Sequence, residues 1–552
     1  MVTMGMETPC CVISSPDMPK RKSPQTLVSE CLKTVSCSIE WFALHHYPQF
    51  DCLTSDLTGQ IFNRLKTIPG LSASHFQLVL TDHLNEIDLS NPYQHDSWDY
   101  YMDIALGIIC RRKPNLLRIN LSNVLRIPDI FWTDIVPSLD YLRVISLRST
   151  DCADQQVLTL FKHCRSLREL DLSLCERVTN WSVSNLCQES AVGIKLQLLD
   201  VMQTQVDERG IRSVVQRCTG LSSLKWRNTI NALGQIYRDL ASGTSTSHII
   251  TTPPSYSLHQ LISDSSYRLY SLQGAVQLCR QAVQVIIDGP SLLLAEELQA
   301  LEHLHCLREL RVVLGSHTRS ELLLDFREGF DSILTKHGST LQHLSIGRIR
   351  HVDLERIAHS CHQLTSLSLE LNHSYRETTT DTRTAIQSLS KLNVSVRDRK
   401  SNEDSHHDVP ASCLAALTAS PSIRHIKITA SQNMSDAILS ESLVGHDLES
   451  LELESCSNIS MRSLWSVIHH SKRLSNLKVY RCQLVVDSEI AELHRGTTGE
   501  ATQQLLDTHP CCQCSAFFNH SMSGRSWIGY GIFFVQLMFF TLHHQTSAAL
   551  PL

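Results

Sequence analysis

The chain has 552 residues, of which 42% are hydrophobic and 19% charged, and its formal net charge is −6. This length exceeds one ordinary compact core, so we expect several domains or one long repeat array, with the composition of a folding chain. The acidic balance argues against a nucleic-acid-binding protein, which should carry a strongly basic domain.

The cysteine content bears on the compartment. Twenty cysteines would suit a secreted disulfide scaffold, but the first 22 residues contain no apolar run of signal-peptide length. We therefore expect reduced thiols and a location in the cytoplasm, the nucleus or both. Residues 1–22 are predicted to be a disordered N-terminus.

The first predicted element is a helix that begins at Ser23-Pro24, because Ser is a good N-cap and Pro fits the first helical turn. Thr26 is followed by Leu27, Cys31 and Val35, and these last three share one helix face because they lie four residues apart. This pattern resembles the BC-box, the helix that binds elongin C. The small Cys31 would let the helix backbone approach the partner so that Leu27 can enter a pocket. The resemblance implies elongin B/C as a partner.

A second short pattern follows in LTSDLTGQIFNRL, where Leu53, Leu57 and Ile61 have the spacing of a cullin-2 box. Thr54 stands where that family has Pro, so the match is imperfect. BC-box, cullin box and leucine-rich repeats follow in this order in zyg-type substrate receptors of elongin BC–cullin-2 ubiquitin ligases. The resemblance predicts a helical BC-box and cullin-box segment over residues 23–80, with cullin-2 as a second partner.

Two other interpretations of this segment stay open. Leu57, Ile61, Phe62 and Leu65 also resemble the start of an F-box, which would imply the Skp adaptor and cullin-1 as partners. Alternatively, the segment is only a helical cap on a repeat array, in which Cys31 would be part of the core. The chain would then be an interaction scaffold outside any ligase.

A repeat runs through most of the chain after residue 80. The template Leu-x-x-Leu-x-Leu, with Ile or Val allowed at each anchor, recurs mostly 23 to 29 residues apart. This period is typical of leucine-rich repeats, in which each unit contributes one strand and a return helix that only a stack can bury. We predict an α/β leucine-rich-repeat solenoid, a horseshoe of about 13 or 14 repeats with an N-terminal helical cap. The templates occupy residues 84–89, 116–121, 142–147, 167–172, 196–201, 221–226, 307–312, 341–346, 364–369, 389–394, 423–428, 448–453 and 474–479.

Six cysteines keep a fixed place in this repeat. Three stand three residues before the first anchor and three stand three residues after the last: Cys164, Cys218, Cys361, Cys175, Cys456 and Cys482. This resembles the cysteine-containing subclass of leucine-rich repeats, in which Cys acts as a small buried hydrophobe. We favour that role over zinc ligation, because finger-type C-x-x-C pairs are missing from the set.

The variable residues between the anchors form the predicted binding surface for a protein substrate. Their mixed charges suit a protein partner better than an anionic polymer, so we expect no nucleic-acid ligand. The predicted function is a substrate-recognition subunit of a cullin-RING ubiquitin ligase that is not itself an enzyme. The candidate substrate-face residues are Arg118, Asn120, Arg143, Ser146, Arg168, Asp171, Lys225 and Arg311.

The repeats are predicted to fall into two halves, residues 81–230 and 277–485. Between them, residues 231–276 contain STSTSH and TTPPSYS and are predicted to be a loop insertion. Residues 486–552 form a C-terminal tail. Its apolar segment 526–542 is at the lower length limit for a membrane span, so a membrane is a partner only if this segment is an anchor.

Catalytic chemistry has no support in the sequence. P-loop, GxGxxG, HExxH, GxSxG and protein-kinase motifs are missing, and the 28 histidines are scattered without carboxylates at ligand spacing. We therefore expect no catalytic residue, no metal and no cofactor.

Overall fold

The computed structural model describes residues 24–44, 50, 53–66, 72–91, 98–112, 115–189, 195–242, 254–316, 318, 323–376, 386–396, 408–443, 446–471, 473–482 and 484–485. The chain divides into two compact units, Met1–Leu341 and Gln342–Leu552. The predicted N-terminus 1–22, the tail 486–552 and its segment 526–542 lie outside the described residues.

Unit 1 begins with five helices and one strand before the regular repeats. These are α1 Pro24–Cys37, α2 Ile39–Leu44, α3 Ser55–Leu65, α4 Ala73–Val79, β1 Glu86–Asp88 and α5 Trp98–Arg112. The strands that follow are β2 Arg118–Asn120, β3 Val144–Ser146, β4 Glu169–Asp171, β5 Leu198–Asp200, β6 Ser223–Lys225, β7 Gln260–Ser263, β8 Gln284–Asp288 and β9 Glu309–Val313. The return helices are α6 Asp154–His163, α7 Asn180–Glu189, α8 Glu208–Arg217, α9 Thr229–Ala241, α10 Ser271–Leu278, α11 Ala295–Gln299 and α12 Phe326–His337. Shorter helical turns are a π-helix at Phe131–Ile135 and 3₁₀ helices at Val136–Ser138 and Ala300–His303.

The strands of unit 1 stack in chain order with every pair parallel. From β1 to β6, one central anchor of each strand pairs with the equivalent anchor of the next. The paired anchors are Ile87, Ile119, Ile145, Leu170, Leu199 and Leu224. All of them are buried. Since side chains alternate between the two faces of a strand, the residues beside each anchor face away from the core.

Unit 2 repeats the same arrangement. Its strands are β10 His343–Gly347, β11 Ser366–Glu370, β12 Lys391–Ser395, β13 His425–Thr429, β14 Ser450–Glu454 and β15 Asn476–Tyr480, with helices α13 Leu354–Ser360, α14 Ala411–Thr418, α15 Asp436–Ser442 and α16 Met461–His470. Successive strands from β10 to β15 pair in parallel and in register. The predicted α/β leucine-rich-repeat solenoid is confirmed in both units.

Much of the range 231–276, predicted to be a loop insertion, forms regular secondary structure. α9, β7 and α10 provide it, and residues 243–253 lie outside the described part of the chain. Two strands, β7 and β8, were missed by the template because one anchor of each is small: Ser263 is the last anchor for β7, and Ala282 is the first anchor for β8. Both are buried, at 1% and 0% exposure. The described residues therefore hold fifteen strands where the sequence predicts about 13 or 14 repeats.

The sheet of unit 1 is interrupted between β6 and β7, and the Thr229 side chain fills the gap. Ile262 N donates to Thr229 Oγ1 at 2.8 Å, and Thr229 Oγ1 donates to Ile262 O at 3.2 Å. The hydroxyl thus satisfies the backbone groups that a neighbouring strand would otherwise pair. Beside the break, His259 N still donates to Ser222 O at 2.8 Å, so the repeats stay in contact.

The turn after each strand uses a left-handed residue two places beyond the last anchor. Ten repeats have φ between 54° and 83° there, and only one of these residues is Gly: Asn123, Ser149, Leu174, Gln203, Gly289, Arg348, Leu371, Ala430, Ser455 and Arg481. A left-handed backbone costs about 1–2 kcal/mol for an L-residue. The backbone N–H of Leu174 offsets part of this cost by donating to Met202 O of the next repeat at 2.8 Å.

Candidate functional site

Helix α1 carries the predicted adaptor-binding residues, and its buried face is not the predicted stripe. Leu32 and Ser36 are 6% and 4% exposed, whereas Cys31 is exposed and Val35 half-buried. Successive helical residues differ by about 100° around the axis, so Cys31 lies beside the buried face and not within it. The backbone of Thr26 and Leu27 is helical, and their side chains lie outside what the structure describes.

Contacts to α3 decide which face of α1 is buried. α1 packs against α3, and Arg64 of α3 donates from Nη2 to Ser29 Oγ at 3.0 Å. On the inner face Ser36 Oγ donates to Leu32 O at 2.8 Å, which satisfies a buried hydroxyl without a partner chain. The face that contains Cys31 is therefore left at the surface, which differs from the core position expected for a simple cap.

The predicted cullin-box residues differ in burial. Leu53 and Leu57 are half-buried, but Ile61 has 0% exposure and lies in the core. The residues of the F-box alternative are also buried: Phe62 and Leu65 are 3% and 2% exposed. In the folded chain the apolar side chain of Ile61 packs where α3 meets the first strand of the array and is not at the surface.

Helix α3 covers the first strand of the array through polar contacts at both of its ends. Asn85 N, just before β1, donates to Ser55 Oγ at 2.9 Å. At the other end Lys66 Nζ lies 2.9 Å from Asp88 Oδ1, with only 6% of the lysine side chain exposed. Burial lowers the pKa of Lys66, and its pairing with Asp88 offsets part of that shift. α3 thus caps the array and gives α1 a fixed base.

The candidate substrate-face residues fall into two classes. Asn120, Ser146, Asp171, Lys225 and Arg311 lie at equivalent strand positions that face away from the core, and Arg118 lies two residues earlier on the same face. Arg143 and Arg168 instead precede their strands. Their backbone N–H groups donate to the previous repeat, Arg143 to Leu117 O at 2.9 Å and Arg168 to Arg143 O at 2.7 Å. Both side chains are exposed.

Hydrogen bonds link the outward residues of neighbouring strands into a row. Ser146 Oγ donates to Asp171 Oδ2 at 3.0 Å and lies 2.9 Å from Ser122 Oγ. Asp171 Oδ1 also accepts from Ser173 N at 2.9 Å, so the carboxylate stabilises its own turn as well as the row. These side chains are held in fixed positions before any partner binds, which lowers the entropy cost of binding.

Two residues of this face were missed from the sequence, Asp88 and Asp200, although they stand at the same template position as Asp171. Lys225 Nζ lies 3.4 Å from Asp200 Oδ2. Burial raises the pKa of Asp200, and the neighbouring Asp171 charge adds to the rise while Met202 N and Lys225 oppose it. Aligning the fifth template position across all repeats would have found this acidic column.

The repeat cysteines are buried thiols, as the sequence predicts. Cys164, Cys175, Cys218, Cys361, Cys456 and Cys482 are all free and buried. Burial raises the pKa of Cys164 and of Cys361 to about 12, which keeps both as thiols at neutral pH. Cys175 Sγ donates to Leu147 O of the previous repeat at 3.0 Å, so this thiol links adjacent repeats.

Within the described residues, no group of three His, Cys, Asp or Glu side chains could hold a metal ion. No helix in that part of the chain is long and apolar enough to cross a membrane.

Comparisons with known proteins give likenesses of fold only. No protein-family model matches the chain, and no curated protein matches it. Similar solved structures include the yeast Rad7–Elc1 complex, at 11% identity over 84% of this chain and 95% of that chain with a TM-score of 0.39. Others are a leucine-rich-repeat protein of Leptospira interrogans, at 13% identity over 80% and 93% with a TM-score of 0.39, and the TLR13–ssRNA13 complex, at 16% identity over 75% and 59% with a TM-score of 0.31. At these values the likenesses carry no argument about partners, and the repeat fold rests on the strand register described above.

Proposed function

We propose that the chain is a substrate-recognition subunit of a cullin-RING ubiquitin ligase, acting in the cytoplasm, the nucleus or both. Helix α1 docks into elongin C of the elongin B/C adaptor, and the outward strand residues bind a protein substrate. The subunit contributes no catalytic group of its own. Cullin-2 is the cullin proposed to join this assembly, through Leu53 and Leu57 and without Ile61.

The surface position of Cys31 is the observation that carries this proposal. A cap helix needs one buried face, and Leu32 with Ser36 supplies it. The BC-box pattern falls on the adjoining face, where Cys31 is exposed and Val35 half-buried. A small exposed residue between two apolar ones allows the close backbone approach that helix-in-groove binding requires.

The F-box and scaffold alternatives would use different residues of the segment 23–80. Binding of the Skp adaptor through an F-box would use Ile61, Phe62 and Leu65, which are committed to the core of the folded chain. A scaffold without an adaptor would leave Leu27 and Cys31 without a role in binding. The arrangement of α1 and α3 therefore supports elongin C over the Skp adaptor, and the binding experiment below separates elongin C from the scaffold alternative.

The experiment is a pulldown of purified elongin B/C, cullin-2 and Skp adaptor by the tagged full chain. It is run beside the double variant Leu27→Ser with Cys31→Lys. Lys33→Ala is the matched control, because Lys33 is exposed on the same helix and lies about 200° from Cys31. A thermal unfolding curve for each chain shows that the variants remain folded.

We expect elongin B/C to be retained by the wild type and by Lys33→Ala, and lost by the double variant. Capture of the Skp adaptor in its place would move the assignment to the F-box alternative. Retention by the double variant, or no adaptor bound at all, would contradict the proposal and leave α1 as a cap.

A further inference from the structure

Strands β10 to β13 of unit 2 have a basic outward face, whereas strands β1 to β6 of unit 1 do not. In β10 to β13 buried apolar residues alternate with side chains that face away from the core. Among those outward side chains are His343, Lys391, His425 and Lys427, and Glu370 is the single carboxylate. The remaining side chains carry hydroxyl or amide groups. Strands β1 to β6 of unit 1 instead carry the acidic column described above.

Four of these residues form a compact group that we call the basic patch: Lys391, Asn393, His425 and Lys427. The strand register places Lys391 opposite His425 and Asn393 opposite Lys427 on adjacent parallel strands. Neighbouring strands lie about 4.8 Å apart, so the four side chains can reach one small ligand group together. Lys391 and Lys427 are both exposed.

Two carboxylates border the basic patch: Glu449 Oε2 lies 3.9 Å from His425 Nε2, and Glu452 contacts Lys427. Glu452 lies 3.4 Å from Lys427 and also 2.8 Å from Lys478. Two lysines therefore share one carboxylate, and the Lys478 contact is the shorter. The side chain of Lys427 remains 55% exposed.

Hydroxyl and amide donors extend the basic patch toward β11. Asn393 Nδ2 donates to Ser368 Oγ at 2.9 Å, and Ser368 Oγ donates to Glu370 Oε1 at 2.9 Å. Ser345 Oγ donates to the same carboxylate oxygen at 3.3 Å. The side-chain hydroxyls of this part of the face therefore already bind one oxyanion, the carboxylate of Glu370.

We infer that the basic patch binds an acidic segment of a protein partner, through an oxyanion that is either a phosphorylated side chain or a carboxylate. Lysine charges and neutral donors together match a group with several acceptor oxygens. A peptide fits better than a nucleic acid, because the chain has a net charge of −6 and the outward side chains of these four strands include no Phe, Tyr or Trp for base stacking. The binding of an acidic segment does not depend on the proposed function; only the identification of this partner as a ubiquitination substrate rests on it.

The test measures fluorescence anisotropy of short labelled peptides with the full chain and no adaptor present. One peptide contains phosphothreonine, a second Asp at the same position, and a third Thr. A labelled single-stranded oligonucleotide is the fourth probe. The variant is Lys391→Gln with Lys427→Gln, and Lys162→Gln with Arg165→Gln in unit 1 is the control, because it removes the same charge from exposed residues elsewhere.

We expect the phosphorylated or the Asp peptide to bind, the Thr peptide to bind at least roughly tenfold more weakly, and added salt to weaken the interaction. The Lys391/Lys427 variant should lose roughly tenfold in affinity while the control stays unchanged. Comparison of the phosphorylated and Asp peptides identifies the oxyanion. Equal binding of all three peptides, preference for the oligonucleotide, no binding, or an unaffected variant would overturn the inference. Because no adaptor is present, loss of elongin binding would leave this result intact.

Discussion

Cys31 and Leu32 are consecutive residues in opposite environments of α1, the helix that packs against α3: the thiol of Cys31 is exposed, while the Leu32 side chain is 6% exposed. The two residues thus mark the boundary between the face of α1 that packs in the folded chain and the face proposed to bind the adaptor. It also makes the stability effects of neighbouring substitutions differ.

We predict that Cys31→Ala changes the free energy of unfolding by less than about 0.5 kcal/mol, as usual for a surface substitution. Leu32→Ala should lower it by about 2–5 kcal/mol, because it opens a cavity in the packed face of α1. Denaturant unfolding of both variants, followed by hydrogen exchange of α1 and α3, measures the difference. A large loss for Cys31→Ala would show that the thiol belongs to the core.

Gly234 lies where α9 meets α10, inside the region predicted to be a loop. An added Cβ would lie 2.6 Å from Ser271 Cα, so Gly234→Ala should destabilise unit 1 by about 1–3 kcal/mol. Gly107→Ala is the control, because nothing lies within 4 Å of its added Cβ in α5, and it should raise stability by about 0.5–1 kcal/mol. Thermal unfolding of the two variants should move in opposite directions. Equal effects would mean that α9 and α10 do not pack this closely.

Substitutions of Gln203 test the left-handed backbone conformation in the turn after β5. Its φ is 55° and its side chain is exposed, so Gln203→Gly removes backbone strain without removing packing. We expect a gain of about 0.5 kcal/mol in the free energy of unfolding after the extra chain entropy of Gly is counted. Gln203→Val should lose about 1 kcal/mol or more, because a β-branched residue tolerates this region poorly. A Val variant as stable as the wild type would contradict the turn geometry.

Asp436 should make unit 2 sensitive to acid. Burial opposes the shift, but hydrogen bonds from Ser460 and Ser463 lower the pKa of Asp436 below its ordinary value of 3.8. The ionised carboxylate therefore stabilises the folded state. Its contribution is complete above about pH 4 and is lost as the pH falls through the lower, folded-state pKa.

Asp436→Asn should accordingly cost about 1 kcal/mol at pH 7, and the difference from the wild type should shrink near pH 3. Thermal unfolding at both pH values measures this, with Glu441→Gln as an exposed carboxylate control on the same helix. A difference that stays constant with pH would show that the charge of Asp436 is not what the serines stabilise.

Much of the fold follows from local pattern, because a leucine-rich repeat depends on anchors at fixed spacing. The template located β2, β3 and β4 within their predicted hexamers, and the cysteine positions proved buried. β7 and β8 escaped because Ser263 and Ala282 replace large anchors, and a buried Ser is acceptable only with a partner such as Asn228 Oδ1, 3.1 Å away. That partner is 35 residues away in sequence.

The site was harder to predict than the strands. The spacing of Leu27, Cys31 and Val35 places them on one helix face, but only the packing of α1 on α3 shows that Leu32 is buried and Cys31 is not. Ile61 illustrates the reverse case, in which a motif position turns out to be core. Spacing defines which residues share a face, and tertiary contacts decide which face is free.

The most direct test of the adaptor proposal is the alkylation rate of Cys31 in the full chain, followed by mass spectrometry with and without saturating elongin B/C. Cys37 and Cys306 are exposed thiols that serve as internal controls, and Cys37 lies about 240° around the same helix from Cys31. We expect elongin B/C to slow the modification of Cys31 by roughly tenfold or more and to leave the rates of both control thiols unchanged. An unchanged Cys31 rate, or equal slowing of Cys31 and Cys37, would contradict docking through the Leu27–Cys31–Val35 face.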